Sequence, residues 1–102
     1  MDEAITHSKN GIPIRLPEER WQHIITRHGG LNDKKSFLLE TITHPDKVIA
    51  GNDQALMAIK ELEPGKVLVV VYKEVSETDG FVVTAFPTRR LNSLIKRKQL
   101  WP

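Results

Sequence analysis

Residues 55–87 read ALMAIKELEPGKVLVVVYKEVSETDGFVVTAFP, and the fold turns on how this stretch is divided. Val, Ile, Leu and Phe gather in three runs, parted by Pro64-Gly65 and by the Ser76–Gly80 cluster. Branched and aromatic side chains suit a pleated, half-buried surface, whereas Pro-Gly and Ser/Asp/Gly clusters favour turns. The pattern predicts strands over 55–62, 66–75 and 81–87. Strands joined by so few residues must be antiparallel neighbours, because a parallel pair needs a crossover of about a dozen residues or more. A shorter run, KVIA at 47–50, adds a fourth strand, and the result is a four-stranded antiparallel meander. Its longest apolar run, VLVVVY at 67–72, is far below the roughly 20 residues that span a bilayer. It reads as a strand, and no membrane partner is expected.

Upstream of the meander the period changes to that of a helix. After Pro17 the segment EERWQHIITRH places acids in its first turn and ends at Gly29-Gly30, which predicts a helix over 18–28. Trp21, Ile24, Ile25 and His28 share one face by i, i+3, i+4, i+7 spacing, with Arg20, His23 and Arg27 beside it. A second helix is expected over 33–43. It opens at Asn32 or Asp33, buries Phe37, Leu38 and Ile42, and is stopped by His44-Pro45, since the residue before proline is driven from the α region. At the start of the chain, Lys9-Asn10-Gly11 between extended segments 3–8 and 12–16 signals a β-hairpin. Downstream, Leu91–Lys98 forms a short final helix with Leu91, Leu94 and Ile95 on one side, and Leu100 and Trp101 pin the C-terminus. The expected architecture is a single α+β domain over 1–102, in which the N-terminal hairpin and two helices pack on one face of the four-stranded antiparallel sheet and a short C-terminal helix follows.

Composition narrows the chemistry. The chain has 102 residues, no cysteine and four histidines, so disulfides and thiolate metal sites are excluded. The opening MDEAITHSKNG carries acids and no apolar core, unlike a secretory or transit signal, and the cytoplasm is the expected location. Residues 1–88 hold 10 Lys/Arg against 13 Asp/Glu, while residues 89–102 hold 5 Lys/Arg and no acid. A cluster of this kind raises the local positive potential and suits a polyanion, although a solvated basic helix has the same composition.

Two constellations are able to carry chemistry. One is Arg20, His23, Arg27 and His28 of the first helix, which joins groups that exchange protons near neutral pH to groups that stay charged. Metal-free RNA cleavage needs both, since a base takes the 2′-hydroxyl proton, an acid protonates the leaving oxygen, and cations stabilise the phosphorane. His28 is the preferred acid/base group and Arg27 the preferred cation. A histidine ending an apolar stripe is equally a packed residue at a helix C-terminus. His23 and His28 are five apart and miss the i, i+4 spacing of helical metal sites, so no metal is expected. The other constellation comprises Lys73, Thr84, Thr88, Arg89 and Arg90 on and after the later strands. Strict alternation puts Val82, Thr84 and Phe86 on one face and Phe81, Val83 and Ala85 on the other. No phosphate loop, serine elbow or HExxH string occurs.

Taken together, GIPIRLPEERWQHIITRHGGL (11–31), ITHPDKVIAG (42–51), KVLVVVYKEV (66–75) and DGFVVTAFPTRR (79–90) resemble a phage and bacterial branch of the barnase/EndoU/colicin/RelE-like (BECR) superfamily. Members are small metal-independent RNases that serve as toxins. The resemblance covers roughly residues 11–90, and it departs where Arg27-His28 is followed by Gly-Gly and relatives tend to have proline. It implies helices on a four-stranded antiparallel sheet, with His28, Arg27 and Thr84 as catalytic residues and Arg89 or Arg90 near the scissile phosphate. His23, Lys73, Arg89, Arg90, Lys96 and Arg97 are the side chains expected to hold RNA. The expected activity is a cofactor-free endoribonuclease, possible partners being RNA and a cognate inhibitor protein. A non-catalytic nucleic-acid-binding module and an inactive protein-interaction domain, meeting its partner through Leu100, Trp101 and exposed strand edges, are the alternatives.

Overall fold

The computed structural model describes residues 3–102; Met1 and Asp2, part of the opening read as free of a targeting signal, lie outside the described residues. The Asn10-Gly11 signal yields the hairpin it predicts. Strands β1 (Ala4–His7) and β2 (Pro13–Leu16) pair antiparallel from Ala4↔Leu16 to His7↔Pro13. Gly11 turns the chain with φ +80°, a conformation that costs glycine little. Glu74 fixes the turn from outside, accepting from Ser8 Oγ at 2.5 Å and Asn10 Nδ2 at 2.9 Å.

Helix α1 (Glu18–Arg27) follows Pro17 and ends one residue before the expected His28, which instead serves as its C-cap. A 3-10 turn over Gly29–Leu31 comes next, and helix α2 spans Lys35–Thr43. The second helix therefore starts two residues later than the sequence suggested. Residues 32–34 are consumed by the turn, where the Lys34 N–H bonds Leu31 O at 2.9 Å, and among the described residues no side chain caps the helix. The meander appears as β3 (Lys47–Ala50), β4 (Leu56–Glu63), β5 (Lys66–Ser76) and β6 (Asp79–Thr88), each antiparallel to the next. Helix α3 (Leu91–Ile95) is shorter than the expected 91–98, and Gln99–Trp101 forms a last strand, β7.

The four-stranded antiparallel sheet is overturned. Among the described residues the sheet has seven strands in the order β1-β2-β6-β5-β4-β3-β7, and it is mixed, because β2 runs parallel to β6 through Arg15↔Phe81. The expectation treated only strands joined by tight turns. Each outer edge of a meander, however, carries a row of unpaired N–H and C=O groups, and here other parts of the chain take both. The hairpin covers the start of β6, and β7 pairs with β3 at Val48↔Trp101 and Ile49↔Gln99. The long connection required between parallel strands is the whole of α1, α2, β3, β4 and β5.

Helices α1 and α2 share one face of the sheet, while α3 lies on the other. Trp21 and Ile24 of α1 and Leu38 and Ile42 of α2 pack with Leu31, Ala58, Leu68, Val70, Tyr72, Val82 and Ala85. The alternate residues Ile49, Met57, Ile59 and Val69 form a second core with Leu94 of α3 on the opposite face. A five-residue helix has no stability of its own in water, so α3 depends on Leu94 and on the β7 pairing that follows it. Of the two residues expected to pin the C-terminus, Trp101 is half-buried, whereas Leu100 is 46% exposed. The sheet curls strongly: α2 touches β1, β4 and β5 together, and Lys9 Nζ, in the first hairpin's turn, lies 4.6 Å from the Trp101 ring centroid on the far edge strand. Among the described residues no helix is long and apolar enough to cross a membrane.

The parallel junction carries an ion pair whose effect is testable. Arg15 donates to both oxygens of Asp79, from Nε at 2.8 Å and Nη2 at 3.3 Å, with Glu3 3.7 Å from its other side. The Arg15 hydrogen bond holds the Asp79 carboxyl below its ordinary range, and the same contact raises the guanidinium. A carboxylate with a depressed folded-state pKa stabilises the fold above its unfolded pKa, near 4, and that stabilisation disappears as pH falls through the folded value. Asp79→Asn is therefore expected to lower stability at pH 7 and to approach wild type as pH drops below about 4. Urea unfolding at pH 7 and pH 2.5 checks this. An unchanged gap between the two proteins would remove the carboxylate as its source.

Candidate active site

Helix geometry sets the first part of the site. Arg20, His23 and Arg27 recur at i, i+3 and i+7, a single stripe beside the buried Trp21–Ile24 face. Glu18 and Glu19 lie in the first turn and Arg27 in the last, so each charge opposes the helix-end charge nearest it. His28 leaves the helix at φ −133°, ψ 74°. Two backbone bonds hold it, its N–H to Ile24 O at 2.8 Å and its carbonyl from the Leu31 N–H at 2.9 Å. The position is thus rigid although the residue lies outside the helix, and the side chain is only half-buried.

Strand β6 supplies the second part through a bulge. Val71 pairs with Thr84 but Tyr72 pairs with Val82, which leaves Val83 as an extra residue. The strict alternation expected over 81–87 breaks there. Val82 and Ala85 belong to the α1/α2 core, while Phe86 packs on the α3 side. Thr84 consequently does not share a face with Val82, and the bulge turns the strand where α1 runs beside it.

Between the two elements lies an open groove of about 460 Å³. Arg20, His23, Arg27 and His28 form its helix side, and Val83, Thr84, Phe86 and Pro87 its strand side. It holds two guanidinium groups, two imidazoles and a hydroxyl, with no carboxylate among its described lining residues. No ion pair among the described residues engages any of the four basic side chains. Among the described residues there is also no cluster of three or more side chains suited to hold a metal. The sites expected at Arg27, His28, His23 and Thr84 therefore meet in one place.

The remaining expected RNA contacts fall elsewhere. Lys73 and Arg97 line a neighbouring hollow of about 400 Å³ on the α3 side, with Asp53 on its rim and Val83 and Phe86 shared with the first groove. Arg97 is partly engaged by the fold: its Nη1 donates to Ala50 O at 3.3 Å and to Asn52 Oδ1 at 3.2 Å, tying the segment after α3 to the end of β3. Arg89 pairs with Glu63 at 3.2 Å across two exposed side chains, and it lines a shallow hollow with Arg90 beyond β6. Lys96 is exposed on α3's C-cap. The basic C-terminal stretch is thus dispersed over the surface rather than gathered.

Sequence reasoning passed over Val83, Phe86 and Pro87. The available signal was an aromatic-proline pair at the end of a strand, since proline in a strand marks an edge and an edge is where a groove opens. Comparison of the chain with family models, with curated proteins and with solved structures finds no match.

Proposed function

We propose that the chain is a metal-independent endoribonuclease whose active site is the α1–β6 groove. The observation that carries the reading is the groove's lining, in which two arginines, two histidines and a threonine converge with no acid among the described lining residues. A phosphodiester is an anion that gains charge as it becomes a phosphorane, and guanidinium groups in a site with no carboxylate among its described lining residues favour that change. The resemblance of the Arg27-His28 and Val-Thr-Ala-Phe segments to BECR nucleases supports the same reading.

In the proposed reaction the ribose 2′-oxygen attacks phosphorus as the His28 imidazole takes its proton. The P–O5′ bond breaks, and the 5′-oxygen leaves with a proton from an acid, for which His23 is the second imidazole lining the same groove. The products are a 2′,3′-cyclic phosphate and a 5′-hydroxyl. Arg27 and Arg20 stabilise the equatorial oxygens, and Thr84 donates its hydroxyl to one of them. Lys73 and the dispersed cations Arg89, Arg90, Lys96 and Arg97 attract the backbone outside the groove. An RNase of this kind acts in the cytoplasm and calls for an inhibitor protein when the host's own RNA is at risk.

The test is direct. Purified protein incubated with single-stranded and structured RNAs in EDTA is expected to release fragments ending in 2′,3′-cyclic phosphate. Intact RNA at molar excess of protein would remove the nuclease reading, and retained binding with a steep salt slope would then select a non-catalytic nucleic-acid-binding module.

A further inference from the structure

Phe86 lines both grooves. On one side it faces the Arg20–His28 groove, and on the other the Lys73–Arg97 hollow. Its cross-strand partner is the fully buried Val69, and it packs against the core on the α3 side, so the ring is held by the fold. It remains only partly buried. The bulge at Val83 brings about this dual exposure, because it turns the strand between the two cationic sites.

We infer that Phe86 is a stacking platform for one unpaired base of a single-stranded RNA whose backbone passes from the α1 groove to Lys73. This rests on the polyanion reading above and adds the substrate's form and a specificity residue. A rigid apolar ring between two cationic sites matches what a single strand offers, a base face between consecutive phosphates. A base inside a duplex has both faces covered by its neighbours and has none free to stack on Phe86. Of the two cations in the hollow, Arg97 is engaged by Ala50 O and Asn52 Oδ1, whereas Lys73 makes no ion pair among the described residues, so Lys73 is the second backbone contact.

The experiment uses the full chain and a 2′-O-methyl RNA decamer, which lacks the attacking hydroxyl and so reports binding alone. A single 2-aminopurine is moved along the decamer, and the same sequence annealed to its complement is the comparison. Wild type is expected to bind the single strand at least tenfold more tightly than the duplex and to quench 2-aminopurine at one position. Phe86→Leu, which keeps the apolar volume, is expected to weaken the single strand by on the order of tenfold to a hundredfold and to abolish the quenching. Phe86→Trp is expected to restore both. Equal affinity for duplex and single strand by wild type, or no quenching at any position, overturns the inference without use of a variant. A Phe86→Leu protein that is folded by circular dichroism and binds as wild type overturns it while leaving the RNA reading intact. If wild type binds neither oligonucleotide at low salt, the RNA reading itself falls and takes the platform with it.

Discussion

His28→Ala and Arg27→Ala are each expected to reduce RNA cleavage by about a hundredfold or more while leaving the fold intact. General acid–base catalysis by a placed side chain contributes roughly 10²–10⁴ in rate, and the loss of a fixed donor aimed at developing charge costs about 10²–10³. Neither side chain belongs to the core. Arg27 is exposed, and the backbone bonds that position His28 to Ile24 and Leu31 survive truncation of its imidazole. Circular dichroism and melting should therefore match wild type, and any lost activity is chemical. Arg90→Ala is the matched control, since it removes an exposed cation beyond β6 that does not line the groove; it should change cleavage only a few-fold, and more at low salt than at high. A His28→Ala protein with wild-type cleavage would remove His28 as the acid/base group and leave that role to another residue of the groove.

Much of the architecture was legible because it depends on local signals. Asn10-Gly11, Pro17, Gly29-Gly30, His44-Pro45 and Pro64-Gly65 punctuate the elements close to where the structure does. The sheet's true extent was less visible, because the pairings β2–β6 and β3–β7 join residues far apart in sequence and no turn announces them. Two physical clues nonetheless existed. Six consecutive apolar residues at 67–72 cannot all face a single helical layer, since successive strand residues point to opposite sides; such a run calls for cover on both faces. Leu94 of α3 provides part of that second cover. The other clue was Gly80 ahead of Phe81-Val82-Val83. It was read as part of a turn, whereas the turn between β5 and β6 is confined to Glu77 and Thr78, and Gly80 lies within the strand.

For the candidate site the helical residues were readable from their period and those on β6 were not. The stripe of Arg20, His23 and Arg27 follows from 3.6-residue geometry. Thr84 was singled out, but its face was misjudged, because alternation fails at a bulge and Val-Val-Thr shows no glycine to announce one. The bulge, rather than any single motif, brings Thr84 and Phe86 to α1.

Gly80→Ala is expected to destabilise the protein by about 2–3 kcal/mol, near the upper end of the usual overpacking cost. A Cβ built there would sit 2.5 Å from Lys73 O and 2.6 Å from Ile14 Cδ1, with Pro13 O at 3.3 Å. Lys73 O belongs to the neighbouring strand and Ile14 is fully buried, so neither can swing aside as a surface side chain would. The glycine is what permits β2 to approach β6 closely enough to pair at Arg15↔Phe81. For a domain of this length, a loss of that size lowers the melting temperature by roughly 10–20 °C. Gly30→Ala is the counterpart, because no described residue lies within 4 Å of a Cβ there; that change should be neutral or slightly stabilising through a less flexible unfolded chain. Thermal melts of the two variants beside wild type make the comparison. If Gly80→Ala melted with wild type, the parallel junction would be loose or absent, and the seven-stranded sheet would reduce to a five-stranded one flanked by a separate hairpin.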